Sequence, residues 1–267
     1  MATTVERTVG ARPRSSSEAR AVGRDARRPA AIAAAGVAGL AALALLAGVF
    51  TPTPGGGLCT GACAAYPFDD PALIRDFVPV SFFWMVPAIG MLLALVVFVT
   101  SLGTIRQGFA RLAPVLSLVF MLIGTAVLIG DYAIQLAVVV PSLLHGEGAA
   151  VVALSLLNPH GAFVALEDVG YWTLGLAFLA IAATVSGASL AERVAHVVFL
   201  VGGILAVGAL PAFVVVLGAD LGYAYEIFVI TVVDVALVVG GACVALAFRR
   251  PMVGGRPADP VTKVAAA

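Results

Sequence analysis

Residues 79–101 have the sequence PVSFFWMVPAIGMLLALVVFVTS, a run without a charged side chain. The hydrocarbon core of a bilayer is about 30 Å thick, and an α-helix needs about 20 predominantly apolar residues to cross it. A helix is required in such a run because lipid offers no partner to unpaired backbone N–H and C=O groups. The stretch therefore predicts a membrane-spanning helix.

Five further segments of similar length and apolarity flank this stretch. They are residues 31–50, 114–140, 167–189, 196–218 and 224–248. The composition agrees with them, since 61% of the 267 residues are hydrophobic and 11% are charged, whereas soluble domains carry about 25% charged residues. We therefore predict an all-α polytopic bundle of six transmembrane spans and exclude a water-soluble globular domain and a disordered chain.

The basic residues are distributed unevenly between the two sides of the predicted bundle. Of the 15 Lys and Arg residues, Arg75 alone falls on one side and the other 14 fall on the opposite side. Positive charges near span ends resist translocation, so both termini are predicted to be cytoplasmic, in a plasma (inner) membrane. Residues 1–30 would then form a disordered basic arm and residues 249–267 a cytoplasmic tail. The alternative that 31–50 is a cleaved secretory signal stays open, because an Arg-rich segment precedes it.

Four polar residues inside the predicted spans form the first candidate site. Asp131 and Gln135 lie in the third span, and Thr231 and Asp234 lie in the sixth. An ionisable group at the centre of a span costs roughly 2.5–3.5 kcal/mol on insertion scales, so such groups face the bundle interior. Two interpretations stay open. The carboxyls are a protonatable or cation-binding pair, or they clip helices together with Gln135 and Thr231 as hydrogen-bond partners on the same helix faces.

A second candidate set is expected on the outer face of the membrane. Its members are His145, Glu147, Asn158, His160, Glu167, Asp168, Tyr171 and Glu226. Glu167 and Asp168 are predicted at the N-terminus of the fourth span, where the helix dipole favours acidic side chains. The two histidines lack the i, i+4 spacing of zinc-binding helices, so we expect no metal site. The apolar stretch 148–157 is too short to cross a bilayer and predicts a short helix lying on the outer face or folding over the bundle.

The remaining signals concern disulfides, cofactors and partners. Cys59 and Cys63 lie in a connection predicted to be exported, where a disulfide can form. We expect no cofactor, because the three histidines are not placed to hold a haem between two spans. The expected partners are the lipid bilayer and either another membrane protein or a second copy of the chain. Nucleic acid is not expected.

Two stretches show a resemblance to other proteins. DYAIQLAVVVPSLLHGEG, from Asp131, and NPHGAFVALEDVGYWTLGLAF, from Asn158, resemble a group of uncharacterised bacterial six-span membrane proteins with an N-P-H-G-x-F-x-A-L-E segment. The resemblance covers less than a fifth of the chain. It implies a bacterial integral membrane protein and does not indicate a substrate.

Two functions are compatible with these patterns. The first is a non-catalytic structural or accessory membrane component whose outer polar face contacts a partner. The alternative is a small-solute or proton-coupled transporter that uses Asp131 and Asp234. An enzyme is not favoured, because the chain lacks a G-x-S-x-G nucleophile motif and a P-loop. A cavity that reaches both carboxyls would favour the transporter, and a tightly packed interior would favour the accessory component.

Overall fold

The computed structural model describes residues 16–51, 71–105, 112–185, 187–218 and 221–249. Within these ranges the protein is helical and has no strand. The helices are α1 (Ser16–Phe50), α2 (Pro71–Ser81), α3 (Met85–Ile105), α4 (Leu112–Ile134), α5 (Val140–Leu144), α6 (Gly148–Val151), α7 (Ala162–Thr184), α8 (Leu190–Leu217) and α9 (Ala224–Arg249), with a π-helical turn (Gln135–Val139) between α4 and α5.

Six helical segments of the described residues are long and apolar enough to cross a membrane. They are Arg27–Phe50, Val78–Thr104, Leu112–Leu144, Ala162–Thr184, Leu190–Leu217 and Ala224–Arg249. The predicted six-span helical fold class is confirmed. The fourth span starts five residues earlier than predicted, because the turn before it ends at Gly161, whose extended backbone precedes the helix. Glu167 and Asp168 therefore lie more than one turn inside α7 rather than at its start.

Other predicted boundaries also differ. α1 begins at Ser16, so residues 16–30 of the predicted arm continue the first helix; Ala and Arg are frequent there and favour helix. Residues 1–15 of the arm, the tail from Arg250 onward, Cys59 and Cys63 lie outside the described residues. The helix between 148 and 157 is a single turn, Gly148–Val151, followed by a series of turns.

The spanning helices pack as a closed ring. In ring order they are α1, α3, α4, α7, α8 and α9, and α9 returns to pack against α1. α7 and α9 also contact each other across the interior. The ring therefore brings α4, α7 and α9 together, although long stretches of chain separate them.

Glycine allows α4 and α7 to approach closely. A Cβ atom on Gly170 of α7 would lie 2.6 Å from the side chain of Leu128, and one on Gly124 of α4 would lie 2.9 Å from the Gly170 carbonyl oxygen. Small residues permit this kind of approach between membrane helices. The consequence is that Asp131 and Tyr132, one turn beyond Leu128, lie next to the turns of α7 that carry Glu167 and Tyr171.

The second span is broken shortly after it begins. α2 ends at Ser81 and α3 starts at Met85, and the intervening backbone makes short-range bonds such as Phe83 N–H to the Val80 carbonyl. Pro87 accounts for the break, because its ring clashes with the carbonyl of residue 83 and it has no N–H to donate. The break leaves Ser81 and Trp84 at the wall of the interior cavity described below.

Candidate functional site

Five acidic side chains are buried together in one half of the bundle. We call them the carboxyl cluster: Asp131, Glu167, Asp168, Glu226 and Asp234, each between 0 and 7% exposed. They come from α4, α7 and α9, in the half that ends at residues 145–161, which we call the loop end. Ionisable groups buried within spanning segments are costly and therefore mark functional sites by default.

A chain of hydrogen bonds runs through this cluster between α4 and α7. The Tyr132 hydroxyl donates to Glu167 Oε1 at 2.6 Å and lies 2.8 Å from the Tyr171 hydroxyl. Both tyrosines are buried. Glu167 and Tyr171 are four residues apart and share one face of α7, so a single α4 side chain reaches both. The two helices are thus linked by polar contacts inside an apolar interior.

The carboxyls of Glu167 and Glu226 lie close enough to affect each other's ionisation. Asp168 is an electrostatic neighbour of both glutamates, and Asp131 lies within range of both as well. Carboxyls that are buried together repel one another when they are ionised. Full ionisation of the cluster is therefore unfavourable.

No Lys or Arg on α4 or α7, or on α9 before Arg249, offsets the negative charge that ionised carboxyls of the cluster would carry. The sequence has no Lys or Arg between Leu112 and Val185, or between Leu221 and Phe248. One oxygen of each of the five carboxyls has no N–H or hydroxyl donor among the described residues. A buried charge without a partner is strongly unfavourable, so protons or an added cation must neutralise the cluster.

A cavity of about 190 Å³ adjoins the cluster between α1, α3, α7 and α9. Glu226 and Asp234 line it, together with the aromatic side chains of Trp84, Phe163, Tyr171 and Tyr223. The remaining lining residues are apolar or neutral: Ala44, Leu45, Gly48, Val49, Thr51, Ser81, Ala88, Leu156, Leu157, Ile227, Ile230 and Thr231. Asp234 is ten residues into α9, about 15 Å along the helix axis, so the cavity reaches the middle of the bundle.

Beyond Asp234 the interior is closed. Leu237 of α9 and Val37 and Ala41 of α1 are fully buried. A Cβ atom on Gly241 would lie 2.9 Å from the Ala34 carbonyl oxygen, so α1 and α9 are in direct contact there. At the loop end, by contrast, Val49 lines the cavity and is 70% exposed. Thr231, farther along α9, also lines the cavity and is exposed, so among the described residues the cavity is open from the loop end to the level of Thr231.

Gln135 does not pair with Asp131, although the interpretation in which the carboxyls hold helices together expected that hydrogen bond. Its Nε2 atom donates to the Leu154 carbonyl at 2.7 Å, and its Oε1 atom accepts from the Leu156 N–H at 3.0 Å. The Tyr223 hydroxyl donates to the Leu156 carbonyl at 2.7 Å. We call these three contacts the loop clamp. Because Leu156 and Leu157 line the cavity, the clamp holds a part of its wall.

Thr231 does not pair with Asp234 either. The Thr231 hydroxyl donates to the Ile227 carbonyl, one turn earlier, at 2.7 Å. Thr231 also lines the cavity. In both predicted pairs, Asp131 with Gln135 and Thr231 with Asp234, the two members therefore have different contacts. The carboxyls join the cluster, Gln135 holds the loop, and Thr231 lies in the cavity wall.

The predicted outer-face set divides in the same way. Glu167, Asp168, Tyr171 and Glu226 belong to the buried cluster or its hydrogen bonds. The other four lie in the surface connection: His145 and Glu147 are exposed, Asn158 donates to the Val152 carbonyl and accepts from the His160 N–H, and His160 is exposed. Within the described residues, no group of three or more His, Cys, Asp or Glu could hold a metal ion.

Three aromatic contributors to the site were missed from the sequence: Trp84, Tyr132 and Tyr223. Trp84 packs edge-on against Tyr132, with ring centroids 5.4 Å apart. A polar hydroxyl inside a spanning segment was the available signal for Tyr132, because it needs a partner there. No signal in the sequence marked Trp84, which becomes part of the site through the packing of α3 against α4.

Comparisons with protein-family models, with curated proteins and with solved structures found no match. The resemblance to bacterial six-span proteins through Asn158 to Glu167 therefore stays a prediction.

Proposed function

We propose that the protein is a carrier in a bacterial plasma membrane that exchanges a small solute for protons at Glu226 and Asp234. One observation carries the proposal. These two buried carboxyls line a cavity, and each keeps an oxygen without an N–H or hydroxyl donor among the described residues. A carboxyl oxygen that lines a cavity and has no donor from the protein can bind a ligand or a proton.

The accessory function is less well supported by the same geometry. A carboxyl that only clips helices uses its oxygens on partners, and the expected partners Gln135 and Thr231 bond to backbone carbonyls and an N–H instead. Glu192 provides a contrast within this chain. It is a buried acid at the other end of the bundle whose Oε2 atom accepts from the Ala188 N–H at the start of α8. That is the arrangement of a structural acid.

Coupling to protons follows from charge balance. Among the described residues, the titratable groups that face Glu226 and Asp234 are Asp131 from α4, Glu167, Asp168 and Tyr171 from α7, and Tyr223 just before α9; α1 and α3 line the cavity with neutral residues. All of these groups are acidic or neutral. A change in the charge held by the cavity must therefore be balanced by proton gain or loss in the cluster.

The carrier is proposed to lie with its loop end outside the cell and both termini in the cytoplasm. The distribution of basic residues supports this orientation, because 14 of 15 fall on the side opposite to the loop end. The cavity would then be open to the outside and closed toward the cytoplasm. This is one of the two states that alternating access requires.

The proposal is tested in proteoliposomes that contain a pH-sensitive dye. The purified full-length protein is reconstituted, a panel of small cationic, neutral and anionic solutes is added outside, and the internal pH is recorded. We expect at least one class of solute to move protons across the membrane when the protein is present. Glu226→Gln and Asp234→Asn should each reduce the rate by about tenfold or more, the equivalent of about 1.4 kcal/mol.

Two control variants test whether a loss of activity is specific to the site or follows from removing any carboxylate. Glu147→Gln and Asp76→Asn make the same chemical changes at exposed positions and should leave the rate unchanged. If no solute in the panel moves protons, or if the control variants lose as much activity as the site variants, the carrier function is wrong and the accessory function is favoured.

A further inference from the structure

The walls of the cavity indicate what it would bind. Along α9, residues 226, 227, 230, 231 and 234 face the cavity, a stripe about 12 Å long at 1.5 Å per residue. Carboxyls stand at both ends of the stripe, and Ile227, Ile230 and Thr231 lie between them. Among the described residues, no Lys, Arg or His lines the cavity. The cavity surface is thus acidic at two points and mostly apolar elsewhere.

We propose, building on the carrier function, that the solute is a small monovalent organic cation, an ammonium group with apolar substituents. Such a molecule places its charge beside Asp234 or Glu226 and its substituents against the apolar wall. A neutral solute would not supply the positive charge that offsets an ionised carboxylate in an apolar cavity, and an anion would be repelled by it.

The aromatic side chains strengthen this assignment. Trp84 is half-buried at the cavity wall, and Tyr171 lies on the opposite α7 side of it. Cations bind over aromatic faces, most strongly over Trp, and quaternary ammonium groups are commonly recognised in this way. The pairing of aromatic rings with carboxyls gives an ammonium group both of its usual partners.

The size of the cavity limits the size of the solute. At roughly 30 Å³ per water molecule, 190 Å³ corresponds to about six waters. Pockets for drug-sized ligands occupy about 300–1,000 Å³. The cavity therefore suits an ammonium ion with a few small alkyl groups.

An inorganic cation fits less well. Mg²⁺ and Ca²⁺ take six or more oxygen ligands, whereas most of the wall here is hydrocarbon. The search of the described residues for clusters of metal-ligating side chains also found none of three or more. A charged organic group needs only one or two carboxyls, and this cavity supplies two.

Binding and proton release are balanced one for one. When a monovalent cation enters beside a protonated Asp234 or Glu226, that carboxyl releases its proton to the aqueous phase and becomes the counter-ion. When the cation leaves, the carboxyl takes up a proton again. The summed charge of the cluster and its bound cation stays constant through the cycle, which avoids the cost of an unpaired charge.

Binding can be measured through Trp84, because the chain has two tryptophans. In a Trp172→Phe variant, which leaves Trp84 as the reporter, the purified protein in detergent is titrated with tetramethylammonium chloride. We expect a saturable change in fluorescence. Sodium chloride at equal ionic strength and tert-butanol, a neutral molecule of similar shape, should give no saturable change.

Two sets of variants locate the site. Asp234→Asn together with Glu226→Gln should weaken tetramethylammonium binding by about tenfold or more, which is about 1.4 kcal/mol. Gly48→Leu adds a side chain at the cavity wall, whereas Gly39→Leu adds the same side chain to an exposed face of the same helix; neither added Cβ meets an atom within 4 Å. Gly48→Leu should abolish binding and Gly39→Leu should retain it.

The outcomes distinguish this inference from the carrier function. If Trp84 responds equally to tert-butanol, or if both glycine variants bind equally well, the organic-cation assignment is overturned. If the proteoliposomes move protons only with neutral or anionic solutes and need Asp234, the carrier function stands and the cation assignment falls. If tetramethylammonium binds at Asp234 but no solute moves protons, the binding site stands and the carrier function falls.

Discussion

At the scale of single residues, Tyr132 connects the parts of the candidate site. Its hydroxyl donates to Glu167 and contacts the Tyr171 hydroxyl, and its ring packs against Trp84 at the cavity wall. Glu167 in turn is an electrostatic neighbour of Glu226, which lines the cavity. A proton or a structural change at the cavity can therefore reach the interior of the α4–α7 interface through one side chain.

Replacement of Tyr132 by Phe should destabilise the fold. The change removes the hydroxyl that bonds both Glu167 and Tyr171, and a buried polar group left without its partner costs about 1–3 kcal/mol. We expect a loss of this size in the free energy of unfolding, measured by titration with sodium dodecyl sulfate in mixed micelles.

Tyr225→Phe provides the comparison. The Tyr225 hydroxyl is also buried but donates to a neutral acceptor, the Ala206 carbonyl, at 2.8 Å. Neutral hydrogen bonds contribute about 0.5–1.5 kcal/mol, so this variant should lose less stability. An equal or smaller loss for Tyr132→Phe would show that the hydrogen bonds of Tyr132 to Glu167 and Tyr171 do not stabilise the α4–α7 contact.

At the scale of structural elements, the connection between α5 and α7 behaves as a wall of the cavity rather than a free loop. Ser155 and Leu157 are buried, and Gln135 and Tyr223 hold the backbone of Leu156 from two different spans. Gln135 begins the π-helical turn that precedes Pro141, and such turns are frequent at functional sites. The loop clamp is therefore a point at which access to the cavity could be controlled.

Loss of the clamp should expose the wall. In a chain whose three native cysteines are replaced by Ser, we expect Leu157→Cys to react slowly with a membrane-impermeant maleimide, because Leu157 is 2% exposed. Adding Gln135→Ala removes two hydrogen bonds to the loop and should raise the labelling rate of that cysteine several-fold, by roughly the 1–2 kcal/mol that two neutral bonds contribute.

An exposed position calibrates this measurement. His160→Cys lies in the same connection and should react quickly with or without Gln135→Ala. If position 157 reacts as fast as position 160 in the presence of Gln135, the connection does not close over the bundle and the cavity has no such wall.

At the scale of the whole molecule, the ring of six helices encloses a cavity that is open at one end and packed at the other. The formal net charge of zero is compatible with a marked asymmetry between the two ends, because 14 basic residues lie on one predicted side and the buried carboxyls lie toward the other. Orientation in the membrane therefore decides from which side a solute can reach Asp234.

We expect the loop end to face outward. In the cysteine-free background, Glu147→Cys at the loop end should be labelled by an impermeant maleimide in intact cells. Ala188→Cys, an exposed position at the opposite end between α7 and α8, should be labelled only after the membrane is permeabilised. The reverse pattern would contradict the orientation inferred from the basic residues and would open the cavity to the cytoplasm.

Part of the candidate site could be predicted from its composition. Asp131 and Asp234 stood out because ionisable groups are costly inside spanning segments. The sequence separated them from Glu167 and Glu226, which were assigned to the outer face. Glu167 was placed there because the start of the fourth span was predicted five residues too late, and Glu226 because it lies in the first turn of the sixth span. Helix starts depend on local turn geometry, here at Gly161, and an apolar run does not define them sharply.

The sequence by itself determined the solvent, the number of spans and the helical class, because a bilayer imposes a length, an apolar surface and complete backbone hydrogen bonding on every segment that crosses it. The tertiary structure decided which polar residues meet. Gly124 and Gly170 let α4 and α7 approach, the ring order brings α9 against both α1 and α7, and side chains nearly a hundred residues apart become neighbours. Those contacts depend on packing between helices, which no single segment encodes.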